Sequence, residues 1–289
     1  MAQTATTGNL ESASKIIIAA SRYTEEHNAP AMALIESFSL PNGAKQVTVP
    51  KVGQMTVSDL ADGIDIVDEE EIGMTTVDLT SSEVGAKVIL TDKLVREQQN
   101  NVMTIIGKQL GDAMARKKDT DVHSLYGSLN GGTTLGAAGA TASLANIAGA
   151  IAYTKANKFG SQVYILQHPN AVFDIANTAV TASSTYPVPN GWSEDLLGNF
   201  FSGLRPLNGV PIFEDGNLSV DSSDDAVGVI AAKDALAVLK SVDTRSEKQR
   251  DASLRATELI LTSDYGVFEL DDSKGAPLTF DAAAPATGA

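Results

Sequence analysis

The chain has 289 residues, 43% of them hydrophobic, and its 21 basic and 36 acidic residues give a formal net charge of −15. It has no cysteine, which excludes disulfides, zinc–thiolate centres and thiol catalysis. Nucleic-acid binders usually carry a basic face for phosphate contacts, so sequence-specific nucleic-acid binding is not expected of this acidic chain.

The first forty residues, Met1–Leu40, predict an arm. They begin polar and contain two short helical patterns, Ser12–Glu26 and Ala31–Phe38. The start lacks the basic and apolar regions of a secretion signal. The longest early apolar run, Ile16–Ala20, is far shorter than the roughly 20 residues that cross a membrane. We therefore expect a soluble protein made in a cytoplasm, with no membrane partner.

An acidic β-structured projection follows, over about Lys45–Leu90. The 35 residues Val52–Ala86 contain nine acids and no lysine or arginine. Apolar residues alternate on both sides of the acids, in QVTVPKV before them and in MTTVDL and AKVIL after them, and this period predicts strands. A long isolated hairpin is marginally stable in water, so it needs a surface outside its own domain. That requirement favours an assembly protein over an enzyme.

The longest helical pattern runs from about Asp92 to Tyr126, with Thr91 as a suitable N-cap. Such a helix would be about 45 Å long, a spine more than a core helix. The glycine-rich stretch Gly127–Ser143 is flexible by composition and predicts a domain boundary or a mobile loop. Helices and strands alternate beyond it and predict a mixed α+β body. The Ala/Pro-rich residues Ala276–Ala289 predict a frayed tail.

Motifs for chemistry are missing from the sequence. His27, His123 and His168 lie far apart, and no HExxH, GxSxG, GxGxxG or phosphate-loop motif occurs. His168 precedes Pro169 and is interpreted as a loop or capping residue. The hypothesis that the acids bind calcium is weak, because their spacing of three does not match an EF-hand loop; these are Asp59, Asp62, Asp65 and Asp68. We expect no catalytic residue, cofactor or metal, although an ion site at a subunit contact stays an alternative.

Three segments, taken in order, resemble a known family. Glu69–Val95 (EEEIGMTTVDLTSSEVGAKVILTDKLV), followed by IIGKQLGDAMARKKDTDV, is similar to the end of an extended loop running into a spine helix. YILQHPNAVFDI and GVPIFEDGNL are similar to two strand-to-loop steps of the same family. The chain thus resembles the major capsid proteins of tailed bacteriophages, which have the Hong Kong 97-type fold.

The resemblance implies an α+β fold with a defined division of the chain. Residues 1–40 would be the N-terminal arm and residues 41–90 the extended β-loop. Residues 91–130 with 241–272 would form the peripheral domain, which contains the spine helix. Residues 131–240 would form the axial domain, and residues 273–289 a C-terminal tail.

The implied function is structural: hexamers and pentamers of the chain would form an icosahedral shell around double-stranded DNA, as part of the virion. The extended loop would lie over a neighbouring subunit. Its acids would then meet basic residues in trans; the predicted interface residues are Asp68, Glu69, Glu70 and Glu71 on one side and Arg116, Lys117, Arg245, Lys248 and Arg250 on the other. Only about forty residues precede the loop, so a separate scaffolding protein is expected, with a portal and cement proteins as further candidate partners.

Two alternatives stay open at this point. An encapsulin, a bacterial protein compartment with the same fold, would share the whole order of elements. A soluble acidic ligand-binding or enzyme domain with an unusual hairpin would instead behave as a monomer or small oligomer.

Overall fold

The structure is a computed structural model that describes residues 30–52, 74–92, 101–160, 162–180 and 210–285. It is a mixed α+β fold, as predicted. The predicted helix over Ser12–Glu26 and the predicted acidic interface residues Asp68–Glu71 lie outside the described residues.

The first sheet has four strands, in the order β1, β9, β10, β4. The long strands β9 (Leu236–Asp251) and β10 (Ala256–Glu269) form an antiparallel hairpin. Strand β4 (Ser82–Thr91) runs antiparallel to β10, and β1 (Glu36–Ser39) runs parallel to the start of β9.

The long helix α2 (Asn101–His123) packs on this sheet. Leu110 and Met114, four residues apart on one helical face, share a buried cluster with Leu90, Leu259 and Leu261 of the sheet. The predicted spine helix is confirmed over its described part. It continues, after a short turn, into a 3-10 segment (Tyr126–Gly132).

The second sheet has five strands, in the order β5, β11, β8, β6, β7. These are Leu135–Gly136, Gly275–Asp281, Asp225–Ala232, Val163–Gln167 and Ile212–Glu214. Strand β6 is buried on both faces, as its continuous apolar sequence VYIL indicates. One face packs against helices α3 (Leu144–Ala156) and α4 (Pro169–Val180), and the other against α1 (Pro30–Leu34), the 3-10 segment and the start of β9.

The predicted projection contains the two-stranded sheet of β2 (Gln46–Val52) and β3 (Met74–Thr80). This pairing of the strands before and after the acids confirms the hairpin. The third predicted strand of the projection does not belong to it, because β4 pairs along its whole length with β10. The hairpin touches the body through Lys51, whose Nζ lies 2.6 Å from Oδ1 of Asp271.

Two local predictions are wrong. The helix expected over Ala31–Phe38 ends at Leu34, because the following residues pair with β9 as strand β1. The frayed tail is instead strand β11 up to Asp281, held between β5 and β8. Alternate residues of β11, Ala276, Leu278 and Phe280, are buried in the core. This burial stabilises the strand despite the Ala/Pro-rich composition of the segment.

Of the two interpretations of the glycine-rich stretch Gly127–Ser143, the mobile loop is wrong. Leu129 and Ala142 are buried within it, and the Gly131 N–H donates to the Asp272 carboxylate at 3.0 and 3.1 Å. Asn130 and Gly131 adopt left-handed backbone angles that turn the chain toward β5.

We expect Gly228→Ala to destabilise the second sheet by about 1–3 kcal/mol, the usual cost of overpacking. A Cβ at Gly228 would lie 2.7 Å from Cδ of the buried Gln167, with the Leu166 carbonyl also too close. The free energy of unfolding from urea titration measures this. Gly149→Ala is the control, because nothing lies within 4 Å of its added Cβ; on helix α3 it should stabilise by up to about 1 kcal/mol. Equal effects of the two substitutions would contradict the packing of β8 on β6.

Candidate inter-subunit surface

The described part of the β2–β3 hairpin is largely exposed. Along β3, Leu79 is the one fully buried residue, and Met74, where the described strand begins, is 62% exposed. The hairpin thus covers little of its own body. Beyond Val52 and before Met74 the chain carries the predicted acidic interface residues.

Two of the predicted basic partners lie on the spine helix. The Lys117 Nζ is 2.6 Å from Oδ1 of Asp121, one turn later on the same helix. Arg116 is exposed and borders an open cavity of about 390 Å³, which Asp112 and Glu214 also line. Arg116 is therefore available to an outside acid, whereas Lys117 already has a local one.

Two more predicted partners, Arg245 and Lys248, lie on the exposed part of β9. Nε of Arg245 is 3.5 Å from Oε1 of Glu247, and both side chains are more than half exposed. An exposed pair of this kind contributes roughly 0–1 kcal/mol, so it restrains Arg245 little. The β9–β10 hairpin ends nearby in a turn with the exposed Leu254.

Arg250 is in a different situation, because its guanidinium binds a carboxylate of its own chain. Its two terminal nitrogens lie 2.5 and 2.7 Å from the two oxygens of Asp92, a bidentate geometry. The Asp92 side chain is only 5% exposed, and its hydrogen bond raises the pKa of Arg250. The structure therefore gives Arg250 a role inside the subunit, where it ties β9 to the residue that follows β4.

Sequence reasoning missed Lys118, the third cation of the run Arg116–Lys118. Its ammonium is buried between the helix and the first sheet, 3.3 Å from Oγ1 of Thr244 and 5.5 Å from the centre of the Tyr265 ring. Burial, with a smaller effect of Lys240, lowers the pKa of Lys118 to about 8, while Asp243 acts in the opposite direction. A run of cations at a helix end normally indicates solvent exposure, so the sequence offered no signal for this burial.

The structure agrees with the interpretation of His168 as a capping residue. Its Nδ1 accepts a hydrogen bond from the Asn170 N–H at 3.3 Å, at the start of α4. The acidic turn at Asp221 is likewise held by local bonds, since its carboxylate accepts from the Ser223 and Asp225 N–H groups. Among the described residues, no group of three or more histidine and acidic side chains is arranged to hold a metal ion.

The fold is that of known shell proteins. The chain is similar to a chain of the head structure of Helicobacter pylori bacteriophage KHP40, with a TM-score of 0.67, 12% identity, and 86% of this chain and 88% of that chain covered. It is similar to a Mycobacterium phage Che8 structure, with a TM-score of 0.62, 20% identity, and coverages of 81% and 84%. It is also similar to the SrpI encapsulin of Synechococcus elongatus, with a TM-score of 0.62, 11% identity, and 90% of each chain covered.

The sequence itself identifies the family. Residues 75–276 match the family model described as phage capsid protein, and the chain belongs to that family. This membership agrees with the predicted fold. It also means that the chain is a structural, non-enzymatic protein of the virion capsid. Comparison with curated proteins finds no significant match. Within the described residues, no helix is long and apolar enough to cross a membrane.

We expect Arg250→Ala to lower the melting temperature of the subunit, because Asp92 would keep a buried charge without its bidentate partner. Arg245→Ala on the same strand is the control and should leave the melting temperature unchanged. Differential scanning fluorimetry of the two variants measures both effects. Equal melting temperatures for the two variants would contradict the internal role of Arg250.

Proposed function

We propose that this capsid protein assembles as hexamers and pentamers into an icosahedral shell that encloses phage double-stranded DNA. The observation that carries the proposal is the exposed β2–β3 hairpin on a subunit of the phage capsid protein family. A two-stranded sheet with so little of its own surface buried is marginal in water. A neighbouring subunit supplies the missing contact surface, and repetition of that contact around a closed symmetry builds the shell.

The two sheets support a division of the chain into a peripheral and an axial domain. The four-stranded sheet with the spine helix is the peripheral domain, and the five-stranded sheet with α3 and α4 is the axial domain around the symmetry axes. Strand β11 lies within the five-stranded sheet, so the axial domain also includes residues beyond 272. The hairpin is the extended loop that reaches the neighbour.

Opposite charges specify the contact between subunits. The loop acids Asp68–Glu71 face exposed cations of the next subunit, of which Arg116, Arg245 and Lys248 are the best candidates because of their exposure. Lys117 also belongs to this set, because it can exchange its partner Asp121 for an acid of the neighbouring loop. Each exposed pair contributes about 0–1 kcal/mol, and the contribution is repeated at every subunit contact.

Other phage proteins complete the particle. A separate scaffolding protein guides assembly, a portal occupies one vertex, and cement proteins are further candidate partners. The net charge of the subunit, −15, disfavours sequence-specific DNA binding by the shell, because an acidic chain repels phosphate overall.

A second candidate function is an encapsulin-type compartment for a cargo enzyme. The similarity to the SrpI encapsulin over 90% of each chain favours it. The family match favours the phage shell. Co-expression with neighbouring genes distinguishes the phage shell from the encapsulin. A phage shell depends on scaffolding and portal proteins, whereas an encapsulin encloses a cargo enzyme.

We expect negative-stain electron microscopy of the purified chain, alone and with its scaffolding protein, to reveal closed icosahedral shells or rings of five and six subunits. Size-exclusion chromatography with light scattering gives the mass of the same samples. A chain that stays monomeric in both preparations would contradict shell assembly.

We expect replacement of Glu69, Glu70 and Glu71 by lysine to reduce the yield of shells at least several-fold, because the loop would then repel its basic partner. The subunit itself should stay folded, which circular dichroism checks. Replacement of the same residues by glutamine is the matched control and should have a smaller effect, since it removes attraction without adding repulsion. Normal shell yields from the lysine variant would contradict the charge pairing.

A further inference from the structure

An open cavity of about 780 Å³ lies beside strand β1 and the turn after helix α3, and its lining includes four lysines. Lys158 follows α3, and Lys233 lies in the turn between β8 and β9. Lys240 is on β9, and Lys274 ends a short 3-10 turn (Asp272–Lys274). Four separate elements of the fold therefore bring these cations together at what we name the lysine cavity.

The lysine cavity carries an excess of positive charge on a strongly acidic chain. The acids among its described lining residues are Glu36 and Asp234, so four lysines face two carboxylates. Lys274 donates to Asp234 and also lies 4.0 Å from Asp271, so its charge is largely balanced within the subunit. The local excess opposes the net charge of −15 of the whole chain, and a concave surface of one sign attracts ions of the other.

The other three lysines of the cavity are exposed and have no acidic partner in the described part of the chain; they are Lys158, Lys233 and Lys240. The hydroxyl of Ser37 and the side-chain amide of Gln162 line the same cavity. Neither of these groups has a hydrogen bond to another described residue. The cavity therefore offers three ammonium groups and two neutral donors to a bound anion.

The backbone at Lys158 adopts a conformation that glycine normally occupies. Its φ is +56°, in the left-handed region that commonly follows the last turn of a helix. A side chain in this region costs free energy that glycine avoids. The C-terminus of α3 favours a nearby cation, which offsets part of that cost. The turn thus holds an ammonium group at the cavity where the backbone alone favours glycine.

The size and lining of the cavity favour several phosphate groups over one small ion or a planar ring. A volume of about 780 Å³ exceeds the space that a single small anion fills. Lysine ammonium groups bind phosphate as point charges, without a fixed planar geometry. The one aromatic lining residue, Phe159, is only 2% exposed, so it offers no free face on which a base could stack.

The nucleic-acid backbone matches these requirements better than an acidic protein segment does. Duplex DNA carries one negative charge per roughly 1.7 Å of its axis, a higher density than a row of carboxylate side chains provides. Contacts to phosphates carry no sequence information. A site of this kind is therefore compatible with the absence of sequence-specific DNA binding expected of this chain.

We propose that the lysine cavity binds phosphate groups, and that the backbone of enclosed DNA supplies them in the shell. The DNA source rests on the proposed function, whereas the phosphate site itself requires only the folded subunit. Because the rest of the acidic surface repels phosphate, the contact is confined to one place on each subunit. It positions DNA near the shell without binding it along its length.

Binding of inorganic phosphate to the full-length chain at low salt tests the site, with the line width of the phosphorus NMR signal as the readout. The cavity variant combines Lys158→Gly, Lys233→Ala and Lys240→Ala, with glycine at position 158 because it fits the left-handed backbone. Each exposed charge contributes up to about fivefold in affinity, so we expect this variant to bind phosphate at least about tenfold more weakly than wild type. Lys274 stays in place because it donates to Asp234.

A matched control variant loses three exposed lysines outside the cavity lining; its changes are Lys45→Ala, Lys108→Ala and Lys155→Ala. It has the same net charge as the cavity variant and should keep the wild-type affinity for phosphate. Glu36→Gln should act in the opposite direction and tighten binding by up to about fivefold, because it removes one of the two lining acids. Circular dichroism checks that each variant is folded.

The absence of phosphate binding by the wild-type chain would overturn the site. So would an equal loss in the cavity variant and the control, because the effect would then reflect only the net charge. Neither result depends on shell formation, so failure of the site is distinguishable from failure of the proposed function.

Two further probes identify the natural source of the anion. Fluorescence anisotropy of a labelled DNA duplex with unassembled subunits should show binding that is independent of base sequence and weaker in the cavity variant. Phosphate binding without duplex binding would overturn DNA as the source and assign the site to the free ion. A synthetic peptide of the acidic loop, residues 65–73, tests the alternative of a neighbouring subunit. Binding of this peptide at the cavity, without binding of phosphate, would overturn the proposal.

Discussion

The fold depends on two continuous backbone elements that connect the two sheets and their cores. The spine helix buries Leu110 and Met114 against the first sheet, and the 3-10 segment after it buries Tyr126 and Leu129 against the second. Strand β9 pairs within the first sheet along most of its length, and Leu236 and Val238 near its start pack in the second core. Neither sheet can therefore shift relative to the other without disturbing a continuous backbone element.

This arrangement explains why charged and polar side chains collect between the two sheets. The spine helix passes from one core to the other at this point, and its polar side chains there cannot all reach solvent. Lys118 is enclosed against Tyr265 and Thr244, and Asp119, on the adjacent face, meets Asp215. Consecutive residues of opposite charge thus enter two separate buried environments, both with pKa values moved toward neutrality.

Local periodicity made much of the fold predictable from sequence. The alternation in QVTVPKV and MTTVDL indicated the hairpin, and the pattern of Leu110 and Met114 indicated the spine helix. Pairing between distant segments was not predictable in this way: nothing in Ser82–Thr91 says that its partner is β10, and nothing in β11 says that it completes a sheet. The hydrogen bond between Asn217 and Asp119 was not predictable for the same reason, since the two residues are 98 positions apart. The interface residues were chosen by charge, and charge alone could not reveal that Arg250 already has a buried partner in Asp92.

The parallel pairing of β1 with β9 has a consequence for the order of events during synthesis. Glu36 pairs with Ala237, and Ser82 with Tyr265, so both edges of the first sheet wait for strands made much later. Such a topology has a high contact order, and non-local pairing of this kind folds slowly. The root of the hairpin is fixed only when β10 has been made and paired with β4. A nascent chain therefore cannot hold the hairpin in its final place on the body, and a subunit becomes competent to assemble only after most of the polypeptide has left the ribosome.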